Sequence, residues 1–459
     1  MAGGKFWTLV STVVVGLTLV VFGAAGPAGG APTGSERPAF KHEGVASCGG
    51  STCHGRQEAT GITVRQNELL SWQDDSSPAG AHSRAYRVLA EPRSQAIAAK
   101  LGIGPAPQAA MCLGCHADPV PARLRGAKFE LSDGVGCESC HGGSERWLSS
   151  HYAVGATHAA NVANGLYPLA DPKARAARCL DCHFGSAGSG QFVTHRIMAA
   201  GHPRIAFELD LFTALQRHHN EDGDYRQRKG ATRGVKTWAI GQAMALDRAT
   251  ALYAMPSRGQ DGAFPEFYFF DCRTCHRTFS DDPDFRPVDI ANPSRPVPSG
   301  FPTFNDENLL MLAAAARVAA PGLATRFARE SRAFHAAFAT DRAGAVRAAG
   351  QLGATSRARA AAFENAAFSK AQTVSILEAV LAGQGALYTD YQGAQQAVMA
   401  ADTLIADLQA SGDVSRGEAK ALRDDLDRAY AAVRTPEGFR AAEFRQKAAR
   451  LAAGVRRLR

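Results

Sequence analysis

The sequence Gly136-Cys137-Glu138-Ser139-Cys140-His141-Gly142 places two cysteines three positions apart and a histidine directly after the second. The same C-x-x-C-H unit occurs three more times, and a longer C-x-x-x-x-C-H unit precedes them all. In chain order, the five units are Cys48–Cys53–His54, Cys112–Cys115–His116, Cys137–Cys140–His141, Cys179–Cys182–His183 and Cys272–Cys275–His276. All ten cysteines of the chain belong to these units, so a single pattern accounts for every thiol.

C-x-x-C-H is the pattern at which c-type haem is attached. Residues three apart on a helical turn share a face, so the two thiols can reach the two vinyl groups of one porphyrin while the histidine ligates the iron. In the first unit, Gly49-Gly50-Ser51-Thr52 adds two residues between the thiols, and glycine lets this extra backbone loop out at little steric cost. The sequence therefore predicts five covalently attached haem c groups. Their proximal iron ligands are His54, His116, His141, His183 and His276.

Zinc sites and disulfides are the alternative uses of such cysteines. C-x-x-C pairs build zinc ribbons, and an even number of cysteines in an exported protein is typical of disulfides. Neither alternative explains a histidine after the second cysteine in all five units. Histidine makes up only 14 of 459 residues, so chance does not explain it either, and haem attachment is favoured.

The N-terminus predicts export from the cytoplasm. Lys5 is followed by an apolar run from Phe6 to Phe22 and then by small residues, which is typical of a signal peptide cleaved after Ala25. The run is long for a signal and short for a spanning helix, so a retained membrane anchor through residues 6–22 stays open. We expect residues 1–31 to be a signal peptide or N-terminal anchor, and the remainder to lie in the periplasm, where c-type haem is attached.

The formal charge of +8 does not by itself indicate a nucleic-acid partner, and none is predicted. Five haems would bring about ten propionate carboxylates, enough to cancel the excess. Of the 51 basic residues, 41 are arginine, which suits bidentate pairing with carboxylates. A general bias toward arginine and alanine explains the same composition equally well.

The predicted fold is mainly α with little sheet: a five-haem cytochrome c domain over residues 32–300, followed by a C-terminal α-helical bundle over residues 301–459. A proline-rich stretch, 283–302, marks the boundary. Apolar periodicity predicts a long amphipathic helix over 234–255. The C-terminal helices are expected to begin near Glu307, Leu323, Arg342, Ser369, Asp390, Ser415 and Pro436. Capping boxes are predicted at Ser369/Gln372 and Ser415/Glu418, and helix ends at Gly350, Gly353, Gly385 and Gly412.

Nine further histidines could supply second iron ligands. An iron with two histidine ligands is closed and suited to electron transfer, whereas an open position can bind substrate. The predicted distal ligands are His42, His82, His151, His195 and His202, with His158 a further candidate. His151 is expected on a short helix over 144–152. His218 and His219 lie in a charged run and are predicted to be solvated, while His335 is predicted to be structural.

Three segments of the haem region resemble those of a known superfamily of multihaem cytochromes c. They are Gly134–Gly143, His82–Tyr86, and Val193–His195 with Gly201–Arg204. The superfamily includes the tetrahaem cytochrome of ammonia oxidation, hydroxylamine oxidoreductase and pentahaem nitrite reductase. The resemblance covers about residues 40–280. It implies closely packed haem pairs, mostly bis-histidine, on a helical scaffold, and supports His82, His151, His195 and His202 as distal ligands.

The sequence departs from this superfamily in two respects. It has five attachment units rather than four or eight, and it has no C-x-x-C-K unit, which pentahaem nitrite reductases use at their active haem. Nitrite reduction is therefore not implied. No tyrosine is identified with the crosslinking tyrosine of hydroxylamine oxidoreductases, so the roles of Tyr152, Tyr167 and Tyr268 stay open.

We expect an electron carrier more than a catalyst, and no catalytic residue is predicted. The expected function is electron relay between redox partner proteins, either other cytochromes or a membrane complex that oxidises quinol. One alternative is a multihaem oxidoreductase that acts on a small nitrogen or sulfur compound at one five-coordinate haem. The other is a haem-anchored interaction protein that works through its C-terminal helices.

Overall fold

The computed structural model describes residues 40–60, 65–186, 191–218, 232–256, 266–276, 301–383 and 390–459, with positions 227, 297, 298 and 388. The predicted signal or anchor segment, His219 and Gly385 lie outside these residues. The fold is mainly α, as predicted. Within the described ranges, β structure is limited to two isolated bridges, His42 with Arg125 and Phe270 with Phe304. None of the helices described is long and apolar enough to cross a membrane.

The helices up to the fifth haem unit are mostly short. They are α1 (Val45–Cys48), α2 (Glu68–Gln73), α3 (Pro92–Leu101), α4 (Ala110–His116), α5 (Cys137–His141), α6 (His158–Ala163), α7 (Pro172–His183), α8 (His195–Ala200), α9 (Leu209–Leu215), α10 (Gly234–Ala254) and α11 (Cys272–Cys275). Short 3-10 helices lie between them at Pro78–Ala81, Arg87–Ala90, Ala106–Gln108, Ala122–Leu124, Leu131–Asp133 and Phe267–Phe269.

The helices after the fifth unit are longer and form a bundle. They are α12 (Glu307–Ala319), α13 (Pro321–Phe338), α14 (Arg342–Glu364), α15 (Lys370–Glu378), α16 (Tyr391–Ala410), α17 (Arg416–Ala432) and α18 (Ala441–Val455). A π-helical turn, Ala379–Gly383, continues α15, and the 3-10 helix Arg456–Leu458 follows α18.

Both predicted capping boxes are present. The Ser369 hydroxyl accepts from the Gln372 backbone at the start of α15, and Ser415 caps α17 in the same way with Glu418. The predicted start at Pro436 is wrong. The Thr435 hydroxyl accepts from Gly438 N at 3.2 Å, but this turn stops, and α18 begins only at Ala441.

Helix α10 is the centre of the molecule. It packs against α7 and α9 of the part that carries the attachment units, called the haem side below, and against α12, α14 and α16 of the bundle. The helix predicted over 234–255 is present, but all residues from 237 to 243 are buried, including Trp238. Its buried face is therefore wider than the single apolar stripe of a surface helix, and part-buried positions stay along one side of its second half, at 244, 247, 248 and 251. The predicted division into two domains at residue 300 stays a prediction. Helix α10 precedes this position and forms contacts with helices of both predicted domains.

The predicted helix end at Gly353 is also wrong, because Gly353 lies inside α14. A Cβ atom at this position would lie 2.7 Å from the Thr250 hydroxyl of α10. The absence of a side chain thus allows the two helices to approach closely. Gly350 also lies inside α14, but on its open side, where no atom is within 4 Å of the corresponding Cβ position.

Two buried carboxylates join the haem side to the bundle. Asp407 of α16 accepts from Arg233 Nη2 at 2.7 Å and from Gly234 N at 2.7 Å, and so neutralises the start of α10. Glu208 caps α9, accepting from Leu211 N at 2.7 Å, and also accepts from the Thr403 hydroxyl of α16 at 2.6 Å. The bundle is therefore fixed to the haem side by directional bonds as well as by apolar packing.

Candidate haem-binding sites

The third attachment unit is held by the glutamate between its cysteines. Glu138 is buried, and its carboxylate accepts hydrogen bonds from Glu43 N at 2.8 Å, Gly44 N at 2.7 Å and Ser144 N at 2.7 Å. Three backbone donors satisfy a carboxylate that burial would otherwise penalise. One side chain thus fixes α5 against the segment that leads into the first unit.

The longer first unit keeps its Cys-His step on a compact turn. His54 N donates to Cys48 O at 3.1 Å, and Gly55 N donates to Gly50 O at 3.1 Å. A Cβ at Gly55 would lie 2.0 Å from Gly49 O, so the turn closes only with glycine there. The two extra residues are taken up before Cys53, which leaves His54 at the end of the unit as in the others.

Each predicted proximal histidine faces a second histidine from a distant segment. The ring centres are 6.2 Å apart for His54 and His151, 6.3 Å for His116 and His202, 6.3 Å for His141 and His218, 6.0 Å for His183 and His82, and 6.1 Å for His276 and His195. Five units therefore give five histidine pairs of nearly equal separation.

This separation fits one metal ion between the two rings. An imidazole nitrogen binds a metal at about 2 Å, and the ring centre lies about 1 Å behind the nitrogen, so two opposed ligands have ring centres about 6 Å apart. Two histidines in direct van der Waals contact have no reason to keep this distance five times. The donor set therefore fits the iron of a haem group at each unit.

The hydrogen bonds of the ring nitrogens agree with this arrangement. In five of these histidines the Nδ1 atom lies within 3.0 Å of a protein oxygen. The partners are Glu68 Oε2 for His54, Ala85 O for His116, Leu148 O for His151, Pro203 O for His202 and Gln216 O for His218. An Nδ1–H that donates to oxygen fixes the tautomer and leaves Nε2 free to bind iron.

Burial keeps three of these histidines neutral. Desolvation lowers the pKa of His82 and of His183 to about 4, and also lowers the pKa of His202. Metal binding requires the neutral imidazole, because the proton of the charged form occupies the lone pair. At neutral pH these side chains are therefore in the form that can ligate iron.

Buried arginine atoms without a partner are a further sign that the protein atoms alone do not complete this region. The Nε atoms of Arg56, Arg175 and Arg178 are buried and have no hydrogen-bond acceptor. A guanidinium is the donor that best matches a carboxylate, and haem carries propionate carboxylates. Apart from the large core that α10 and residues 268–270 share with the bundle, the described part of the haem region has only small apolar clusters, as expected where a porphyrin supplies much of the apolar contact.

The ring planes divide the five pairs into two groups. The planes are 15° apart for His54 and His151, and 29° apart for His195 and His276. The other three pairs are close to perpendicular, at 68°, 86° and 88°. In a low-spin ferric haem, parallel ligand planes separate the two iron d-orbitals that accept imidazole π-density, whereas perpendicular planes leave them nearly equal in energy. The two groups should thus differ in their paramagnetic resonance spectra.

The charged run around His218 predicts a solvated side chain, but His218 lies against His141. Helix α9 ends at Leu215, and Gln216 Nε2 then donates to Ala79 O at 2.9 Å, which brings residues 216–218 to the turn before His82. The charge of the surrounding sequence concealed this role. The useful signal was its position directly after a helix, which gives a side chain a fixed direction.

His42, a predicted distal ligand, faces a carboxylate instead of a proximal histidine. Its Nδ1 lies 2.6 Å from Asp118 Oδ2, so its ring is held at the end of the second unit without an imidazole partner of the kind seen in the five pairs. His158 starts α6 and is exposed. His335 is buried in the bundle, with Nδ1 2.8 Å from Ser331 O.

His82, His151, His195 and His202 are each brought to a proximal histidine. The helix expected over 144–152 is absent. His151 instead lies in a series of turns, and its backbone N donates to Trp147 O at 2.9 Å. His195 is the first residue of α8, where the Thr194 hydroxyl accepts from Ile197 N as an N-cap. His202 follows the same helix, two residues beyond its end.

The attachment units touch one another through their cysteines. The thiol of Cys48 in the first unit hydrogen-bonds with that of Cys137 in the third. The thiols of Cys115 in the second unit and Cys182 in the fourth form the same contact, and Cys182 Sγ also lies 3.7 Å from Gly114 O. The first unit therefore lies beside the third, and the second lies beside the fourth.

Further contacts connect these two groups and the fifth unit. Cys140 of the third unit and Cys179 of the fourth interact electrostatically, and burial raises the pKa of their thiols to about 11 and about 12. Helix α8 links the second and fifth units, because His202 faces the second unit and His195 faces the fifth. The units thus follow one another in space in the order first, third, fourth, second, fifth.

The bundle reaches the fifth unit directly. Gln392 of α16 places Nε2 3.3 Å from Cys272 Sγ. Arg204, just after His202, donates to Tyr268 O at 3.0 Å, and its guanidinium lies 4.4 Å from the centre of the Tyr268 ring. The Cys272 end of the fifth unit therefore lies between the segment that follows α8 and the bundle, whereas Cys275 and His276 are exposed.

Comparison with known proteins identifies part of this arrangement. The family model described as cytochrome c554 and c-prime matches residues 47–142, which contain the first three attachment units. The searches of curated proteins and of solved structures gave no match. The match confirms the resemblance to multihaem cytochromes c seen in the sequence. Residues 47–142 therefore form a domain of the cytochrome c554 and c-prime family, a family of multihaem cytochromes c.

Proposed function

We propose that this chain is a periplasmic pentahaem c-type cytochrome that relays electrons between redox partner proteins. The c554-type domain indicates haem c and electron transfer, and cytochromes of this type are usually extracytoplasmic. The observation that carries the proposal is that every C-x-x-C-H or C-x-x-x-x-C-H histidine faces a second histidine at nearly the same distance.

The second histidine decides between carrier and catalyst. When bound, haem iron supplies one-electron chemistry, and the protein sets its role through the axial ligands and their surroundings. His151, His202, His218, His82 and His195 each occupy the position opposite a proximal histidine. If both histidines of a pair held one iron, no position would be left for a small substrate. The arrangement thus favours electron transfer over the alternative oxidoreductase.

The order of the units supports a relay. Thiol contacts link the first unit to the third and the fourth to the second, the electrostatic contact of Cys140 with Cys179 links the third to the fourth, and α8 links the second to the fifth. Cofactors attached at contacting units are close together, so an electron can move along the series in short steps. The first and fifth units are the ends of this series, and we propose them as the places where partner proteins exchange electrons.

The proposed partners are other cytochromes or a membrane complex that oxidises quinol. Export through the N-terminal segment would place the protein in the same compartment, either free or anchored through residues 6–22. No catalytic residue and no nucleic-acid contact is part of the proposal.

The decisive experiment is haem stoichiometry and spin state of the full-length protein purified after export. We expect five haems per chain by pyridine haemochrome assay, and five low-spin ferric haems by paramagnetic resonance and magnetic circular dichroism. Carbon monoxide should leave the spectrum of the reduced protein unchanged. Fewer than four haems would refute the proposal. A high-spin haem that binds carbon monoxide would instead favour the oxidoreductase.

A further inference from the structure

The proximal histidine of the first unit has a different kind of hydrogen-bond partner from the others described. Its Nδ1 lies 3.0 Å from the carboxylate oxygen Oε2 of Glu68. The corresponding partners of His116, His151, His202 and His218 are backbone carbonyl oxygens. A carboxylate is a stronger acceptor than a carbonyl because it carries a full negative charge.

Glu68 is held in place by the fold. It is the first residue of α2, and the next residue, Leu69, donates its backbone N–H to His54 O at 3.0 Å. The Leu69 side chain lies against Gly49, where a Cβ would be 2.8 Å from it. Backbone and side-chain contacts from α2 thus fix both sides of the first unit, and the carboxylate reaches the ring as part of this packing.

The carboxylate changes the electronic character of the imidazole. The Oε2 atom of Glu68 is placed to accept the Nδ1–H of His54, so the ring proton lies next to a full negative charge. When Nε2 binds iron, the remaining Nδ1–H is drawn toward the carboxylate in the same way, and the ring donates more electron density to the metal. Greater donation stabilises ferric over ferrous iron and so lowers the reduction potential.

We propose that Glu68 makes the first haem the lowest-potential haem of the series. This inference rests on the proposed function, since it requires iron bound between His54 and His151. Reduction adds one electron to the ferric iron, converts it to ferrous iron and breaks no bond. The electron comes from a reduced low-potential electron-transfer protein, which is oxidised in the step. Because the first unit is also one end of the series of contacts, this end is the one suited to receive electrons from that donor.

Exposure to solvent limits how far Glu68 can lower the reduction potential of the first haem. The side chain of Glu68 is 22% exposed and that of His54 is 44% exposed, so water screens part of the charge. We expect the loss of this charge to change the equilibrium constant for reduction of the first haem about tenfold, equivalent to about 59 mV for one electron.

The experiment is a redox titration of full-length holoprotein followed by paramagnetic resonance, comparing wild type with Glu68→Gln. The near-parallel ring planes predict that only the first and fifth haems give rhombic spectra, so the first haem has to be distinguished from the fifth alone. In wild type, one rhombic signal should be the last of all signals to disappear as dithionite lowers the potential. Glu68→Gln should move that signal alone toward higher potential.

Glu58→Gln is the matched control, because Glu58 is an exposed glutamate in the loop that follows the first unit. It should leave all potentials unchanged. Glutamine can still accept the Nδ1–H, so a merely structural role of Glu68 would leave the potential where it was and overturn the inference. So would a shift in one of the signals of the perpendicular pairs. If wild type held fewer than four haems, or a high-spin haem that binds carbon monoxide, the proposed function itself would fail, which is a separate result.

Discussion

The side chain of His218 follows a polar segment in the sequence and lies against His141 in the fold. His42 shows the opposite behaviour, since it lies six residues before a haem unit and pairs with Asp118. Both differences have one cause. A proximal ligand is fixed by the local geometry of its unit, whereas a distal ligand is chosen by which segment the tertiary fold brings across the site. The proximal histidines can therefore be predicted from the local sequence motif. The distal histidines have no such motif, and each has to be judged from its own surroundings.

Replacement of His218 by alanine should convert one haem from low-spin to high-spin. Its ring is the one that faces His141, and alanine offers no atom that can reach the iron. Because the His141 and His218 planes are 86° apart, one of the signals of the perpendicular group should disappear while both rhombic signals stay. Magnetic circular dichroism and paramagnetic resonance of the holoprotein provide the measurement.

His42→Ala is the matched control for that substitution. It removes a histidine that bonds Asp118, so five low-spin haems should remain even if the protein becomes less stable. An unchanged spectrum for His218→Ala, or a high-spin haem in His42→Ala, would contradict the ligand set proposed from the structure.

At the scale of elements, helices that carry local signals were predicted well, and helices that depend on packing were not. Ser369 and Ser415 cap their helices as their capping boxes predict. Glycine proved ambiguous, because it can end a helix or allow another helix to approach. Gly353 does the second, and only the position of α10 reveals it. The wide buried face of α10 likewise depends on helices that follow it in the sequence.

Gly353→Ala should destabilise the protein by about 1–3 kcal/mol, because the new Cβ would overlap the Thr250 hydroxyl and push α14 away from α10. Gly350→Ala is a matched control in the same helix, where the Cβ position is open. It should stabilise the protein by about 0.5–1 kcal/mol, since alanine favours helix more than glycine. Denaturant unfolding followed by circular dichroism compares the two, and equal effects would argue against close packing at Gly353.

At the scale of the whole molecule, the haem side and the bundle form one packed structure. Arg233 and Asp407 pair across the two parts, and a chain of buried amides from Asn308 through Gln242 to Gln396 does the same. The mainly helical class and the attachment units follow from the sequence, because each is a local pattern. The shared core does not, because its contacts join residues between 66 and 174 positions apart.

Glu208, at this interface, should make stability depend on pH. Burial raises the pKa of Glu208 to about 7 from an ordinary value of 4.5, despite hydrogen bonds that favour the ionised form. The folded protein therefore retains a proton that the unfolded chain releases between about pH 4.5 and pH 7. The free energy of unfolding should fall across this window as pH rises, by an amount on the order of 3 kcal/mol.

Glu208→Gln should remove that contribution, since glutamine does not titrate. The comparison is the slope of unfolding free energy against pH, from denaturant titrations at several pH values, because the absolute stability also changes with the altered hydrogen bonds to Leu211 and Thr403. Equal slopes for wild type and variant would show that Glu208 is ionised in the fold.

The histidine pairs also determine how folding can be observed. The two cysteines and the proximal histidine of each unit are neighbours in sequence, so haem attachment needs only a short length of chain. The second histidine lies between 77 and 101 positions from the first in every pair, so iron coordination by the proposed pairs would be completed only when remote segments meet. Formation of such distant contacts is the slow part of folding. The absorption spectrum of each haem should therefore report when its own two histidines come together during folding. The low-spin bands should appear in the order in which these pairs form.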